Sequence, residues 1–159
     1  RPDALVLLDC GAPKCAPAVR AALVDVLAEA CAGTLKSLLE AGRATHLPLS
    51  PSGQGEFSGH DAQSLPAMLR AVAAAGYSEA TDFSRVLWLA SRRMQRTGST
   101  AILTTRLTPA VADAAIALSR MGSKMRFTLV TAGEPSEEEA QLLHLLFASG
   151  LETAHIRAA

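Results

Sequence analysis

Aromatic side chains are scarce in this chain: one tryptophan, one tyrosine and four phenylalanines make up 4% of 159 residues. That removes the stacking platforms on which single-stranded nucleic acids are held. Net charge is lacking too. Fifteen basic side chains balance fifteen acidic ones, and neutralising a phosphate backbone needs a basic excess or a basic face, so a general nucleic-acid partner is not expected. Cysteine is limited to Cys10, Cys15 and Cys31, an odd count with no dense framework, which suits a reducing compartment. No apolar run could span a bilayer, because the longest candidate, Ala16 to Gly42, carries Arg20, Asp25, Glu29, Lys36 and Glu40. No signal peptide is expected from the opening residues. The chain opens "RPDALV" without Met, which reads as a fragment whose preceding part is missing. The expectation is a cytoplasmic domain that does not itself cross the membrane but can belong to a membrane-anchored parent.

Hydrophobic residues reach 49% and charged residues 19%, a composition that folds. The length suits one domain over residues 1–159. Ala4–Leu8, "ALVLL", reads as a buried strand. Pro17 opens a helix of about 25 residues, closed by Gly42. Its apolar positions Val19, Leu23, Val26, Leu27, Ala30, Leu35, Leu38 and Leu39 recur at helical spacing, and Gly33 costs it about 1 kcal/mol and permits a bend. "RATHLPLS" reads as a second strand, with Pro48 favouring an edge or an end. The turn-rich "PSGQGEFSGH" leaves room for a short hairpin strand at Glu56–Ser58. Leu65–Ala75 reads as a helix ended by Gly76, and Asp82 as the N-cap of a helix "FSRVLWLASRRMQ" ending near Gly98. Thr100–Thr105 is a strand, followed by a Thr108-capped helix from Pro109 to Met121. Lys124–Thr131 is another strand. Ser136 and Glu139 form a capping-box pattern ahead of the last helix, and Glu152–Arg157 is the final strand. Strands alternating with helices predict an α/β class with a mostly parallel sheet covered on both faces.

Chemical motifs are few. There is no Walker loop, G-x-G-x-x-G or G-x-S-x-G; "FSGH" sets Ser58 near His60, but adjacency in sequence is not triad geometry. Cys10 and Cys15, separated by four residues and with no two further ligands nearby, read as packing residues rather than a redox pair or half a zinc site. Arg92, Arg93 and Arg96 complement a helix dipole or form a docking patch for an acidic surface. Trp88, at helical spacing with Val86, Leu87 and Leu89, reads as core.

Three stretches carry a resemblance: "ALVLLDCGAP" opening into an Ala-rich helix; "TAILTTRLTPAVADAAIALSRMGSKMRFTLV"; and a last helix feeding "GLETAHI". On these the chain resembles the von Willebrand factor type A-like domain, and more narrowly the C-terminal half of bacterial DUF58 proteins. The resemblance implies a doubly wound, Rossmann-like sheet of six strands. Relatives bind a divalent metal through Asp-x-Ser-x-Ser with a later Thr and Asp. Here only Asp9 matches the first motif, since Gly11 and Pro13 stand at the two Ser positions. The later stretch reads Thr104, Thr105, Arg106, where Thr104 matches and the acid is missing. The expectation is therefore a degenerate metal-ion-dependent adhesion site, with no metal and no cofactor.

Asp9 then needs another role. One reading has Arg106 or Lys14 supply the positive charge that a metal supplies in relatives, locking the turn; the other has Asp9 cap its own turn. Binding residues expected on this basis are Asp9, Gly11, Lys14, Thr104, Thr105 and Arg106, with the loops after Asp9, Ser50 and Thr105 as a contact rim. The implied function is a non-catalytic protein-interaction or scaffold domain acting with a MoxR-type AAA+ ATPase in assembly or maturation of complexes. The alternative is a small-molecule-binding or hydrolytic α/β domain using the crevice at the carboxyl ends of the central strands.

Overall fold

The structure is a computed structural model and describes residues 2–49 and 56–158. The loop after Ser50, expected to form part of the rim, lies outside the described residues. Six strands form one sheet: β1 (Ala4–Leu8), β2 (Thr45–Pro48), β3 (Glu56–Gly59), β4 (Ser99–Thr104), β5 (Lys124–Thr131) and β6 (Glu152–Arg157). Their spatial order is β3-β2-β1-β4-β5-β6. All neighbouring pairs are parallel except the β2–β3 hairpin. This is the Rossmann-like order, in which the chain winds one way from β1 to β2 and the other way at β4.

β1 is buried at all five positions because it is central and covered on both faces. Val6 and Leu8 face a core shared with α1 (Pro17–Glu40) and α2 (Leu65–Ala74). Leu5 and Leu7 face a second core with α3 (Phe83–Leu89), α4 (Ser91–Arg96), α5 (Pro109–Ser119) and α6 (Glu137–Ala148). The buried side of α1 is a row at every fourth residue, Leu23, Leu27, Cys31, Leu35 and Leu39. Such a row is inclined to the helix axis, so α1 meets β1, β2, β4 and β5. Val19, grouped with that stripe by spacing, is exposed instead.

Local signals account for most boundaries. Pro17 is the first residue of α1, and Gly42, at φ +74°, takes the left-handed turn that ends it. Thr108 accepts the Val111 N–H, and Ser136 with Glu139 completes a reciprocal capping box. Pro48 sits at the end of β2, paired with Glu56 of the border strand β3. Two expectations are corrected. The helix expected from Phe83 onward is two helices with a joint at Ala90, whose ψ of 0° departs from helical geometry. Asp82 occupies the N-cap position of α3 without a side-chain bond to the helix.

Candidate functional site

β1 and β4 lie side by side at the point where the winding reverses, so residues just past both strands converge. Asp9 follows β1, 3% exposed, and its N–H still donates to Leu103 O of β4 at 2.9 Å. Both carboxylate oxygens are fully engaged. Oδ1 accepts from the Gly11 N–H (2.9 Å) and from Arg106 Nη2 (2.7 Å). Oδ2 accepts from Thr104 Oγ1 (2.7 Å) and Arg106 Nε (2.9 Å). The Arg106 N–H in turn donates to Thr104 Oγ1 at 2.8 Å. Asp9 thus caps its own turn and binds Arg106: both arrangements weighed from the sequence are present.

Arg106 also donates from Nη2 to Thr81 O at 3.3 Å, tying in the segment before α3. That segment already lies along the Asp9 turn, where the Glu79 N–H donates to Cys10 O at 3.1 Å. Hydrogen bonding to Asp9, together with the fields of Asp9 and Asp82, raises the Arg106 pKa against the opposing effect of burial. The guanidinium is therefore charged at every accessible pH.

Gly11 has a steric reason. A Cβ there would stand 2.0 Å from Arg106 Nη2 and 2.4 Å from Cζ. The guanidinium fills the space that any side chain at this position would need. A divalent ion at Asp9 would have to displace a bidentate guanidinium and would find only Asp9, Thr104 and Thr105 as side-chain oxygen donors in the two stretches. The residues do not fit such an ion. Among the described residues no cluster of three or more His, Cys, Asp or Glu could hold a metal.

Of the other expected residues, Lys14 is exposed and makes none of the bonds to Asp9. It borders a hollow of about 170 Å³ with Asp82, Arg106 and Thr108. Thr105 is half-buried past the end of β4. Beside the Asp9 turn a crevice of about 260 Å³ opens between Pro48, Leu49 and the α3–α4 side chains Phe83, Val86, Leu89 and Arg93. That is below the ~300–1,000 Å³ of small-molecule pockets. A groove of about 620 Å³ lies beside the second half of α1 at the amino ends of the strands, away from the Asp9 site.

Sequence reasoning missed one cluster. His46 and Ser58 are cross-strand partners on β2 and β3. His46 Nδ1 meets Ser58 Oγ at 2.8 Å, and Nε2 meets Asp3 Oδ2 at 2.9 Å. The chain Ser–His–Asp has the connectivity of an activated nucleophile, although with His46 rather than the neighbouring His60. Glu56 Oε2 sits 3.3 Å from Ser58 Oγ and 3.8 Å from His46 Nδ1, so the hydroxyl has a carboxylate beside it, a negative charge that disfavours an anion developing at the same place. Arg93 is paired with Glu56. The cluster ties the border strand β3 to the start of β1.

The cysteines are not joined to one another. All three are free, and burial pushes Cys10 and Cys31 each up to about 12. Trp88, expected in the core, is 46% exposed, and Leu89 is 60% exposed. No described helix is long and apolar enough to cross a membrane. No protein-family model matches the chain, and no curated protein matches it.

Proposed function

We propose that this chain is a non-catalytic protein-interaction domain of the von Willebrand factor type A-like kind, similar to the DUF58 proteins, with a degenerate metal-ion-dependent adhesion site. It would act with a MoxR-type AAA+ ATPase in assembly or maturation of other complexes, as a cytoplasmic part of a parent chain. One observation carries the reading. At the switch point, where open α/β sheets bind ligands, Asp9 is saturated by four protein donors, one pair of them from Arg106. The site is closed to a metal and supplies neither nucleophile nor base. What it offers is a fixed rim: the Asp9–Lys14 turn, the Thr105–Thr108 turn and the strand end at Pro48–Leu49.

The alternative, a small-molecule or hydrolytic site in the crevice, has less support, since the crevice is small and Asp9 on its wall is neutralised by Arg106. Co-purification with the parent chain from its own cells, with and without ATP, tests the main reading. Enrichment of an AAA+ ATPase that weakens on Lys14→Glu is the expected outcome, and recovery of none would remove the proposal. Calorimetry with Mg²⁺ tests the closed site separately; micromolar binding would show that Arg106 can be displaced.

A further inference from the structure

The face of α3–α4 that looks away from the core sets exposed apolar side chains among arginines. Its buried row, Phe83, Leu87, Ala90 and Met94, runs unbroken through the joint. Hydrogen bonds cross the joint too, from Ala90 N–H to Val86 O and from Met94 N–H to Ala90 O. The opposite row, Arg85, Trp88, Leu89, Arg92 and Arg96, is therefore continuous, and every member is exposed. Residues three and four apart on a helix are neighbours, so Trp88 lies between Arg85 and Arg92.

Charge is segregated here. The chain as a whole is neutral, yet Phe83–Arg96 holds four arginines and no acid. Arg93 is paired with Glu56, whereas Arg85, Arg92 and Arg96 have no ion pair among the described residues. The helix dipole explains Arg96, which lies in the last turn of α4. It does not explain Arg85, which lies in the first turn of α3, where a cation is disfavoured. Nor does the fold require a half-exposed tryptophan on a solvent face. Arginine and tryptophan are the side chains most enriched where partners bind tightly. Leu89 links the row to the small crevice whose apolar wall is Pro48, Leu49, Phe83 and Val86, with Asp9, Glu79 and Arg93 also lining it.

We infer that the Arg85–Trp88–Leu89–Arg92–Arg96 face docks an acidic protein segment that carries an apolar side chain for the crevice beside Leu89. The row's unpaired positive charge selects carboxylates; the crevice, too small for a cofactor, suits one side chain. A nucleic acid is disfavoured because a single aromatic offers no run of stacking platforms. A lipid surface is disfavoured because Trp88 and Leu89 alone give little apolar area to bury. The inference goes beyond the rim proposed above, since it adds the exposed row of α3–α4 and shares with that rim only the crevice wall at Pro48–Leu49 and the Asp9 turn.

Trp88 is the only tryptophan in the chain, so its fluorescence reports the event directly. The probe is a glutamate-rich peptide with a central Leu-Phe pair, titrated at low salt into the intact chain, with the glutamine counterpart as control. A saturable blue shift of Trp88 is expected with the acidic peptide, weakened on the order of tenfold by added salt and by Arg85→Glu with Arg92→Glu. If the reversed variant fails to fold by circular dichroism, Arg85→Gln with Arg92→Gln replaces it. No shift with the acidic peptide, an equal shift with the glutamine peptide, or full binding by the variants would overturn the inference. A shift produced by phosphatidylglycerol vesicles or oligothymidylate and not by the peptide would also overturn it, assigning the face to lipid or nucleic acid.

Discussion

Arg106 and Gly11 are best understood as a single unit. The guanidinium that neutralises Asp9 occupies the volume of the missing Gly11 Cβ. Arg106→Ala leaves a buried carboxylate with no counter-charge and should cost about 3–5 kcal/mol. Gly11→Ala should cost nearly as much, because its methyl evicts the same guanidinium. The two together should cost little more than either alone, a coupling that urea unfolding of the two single variants and the double would measure. Independent, additive losses would mean that Gly11 matters for its backbone and not for Arg106. This pairing was only half legible beforehand. Asp9 stands out at the end of an apolar strand, but Arg106 follows 97 residues later, and only the β1–β4 pairing brings them together. Thr81 was not legible at all, since it takes part through a main-chain carbonyl that any residue supplies.

At the level of elements, causes within a few residues were readable and causes from packing were not. The Ser136–Glu139 capping box and Pro109 at the start of α5 involve neighbours in the chain, and they appear where the pattern predicts. Trp88 went the other way. "VLWL" is four apolar residues in succession, and a helix turns about 100° per residue, so no single core can receive them all. Leu87 took the core and Trp88 was left outside; hydropathy alone does not name the winner. Gly33 shows the converse, a residue with no packing reason. It lies mid-helix in α1, and a Cβ there would meet nothing within 4 Å. Gly33→Ala should therefore stabilise the chain by about 0.5–1 kcal/mol, seen as a raised Tm. A lowered Tm would imply that α1 depends on a bend at that point.

Over the whole molecule, the core on the α1 side holds three acids that resist ionisation: Cys10, Cys31 and Tyr77. Burial raises each of them, the two thiols to about 12 from an ordinary value of 9.0. In the unfolded chain the thiols lose their protons near pH 9, whereas in the folded chain they keep them. Their contribution is thus complete below about pH 9 and is lost as pH rises toward 12. Stability should fall above pH 9 by about 1.4 kcal/mol per pH unit for each thiol, as measured by urea midpoints across that range. Cys31→Ala should flatten the fall; an unchanged slope would show that the thiols are hydrated. The borders of the sheet have a consequence of their own. β3 is four residues long and shows Glu56 to solvent, and β6 shows Glu152, His155 and Arg157. Charged outer strands are poor templates for a strand from another molecule, so crowding this protein should not extend its sheet into fibres.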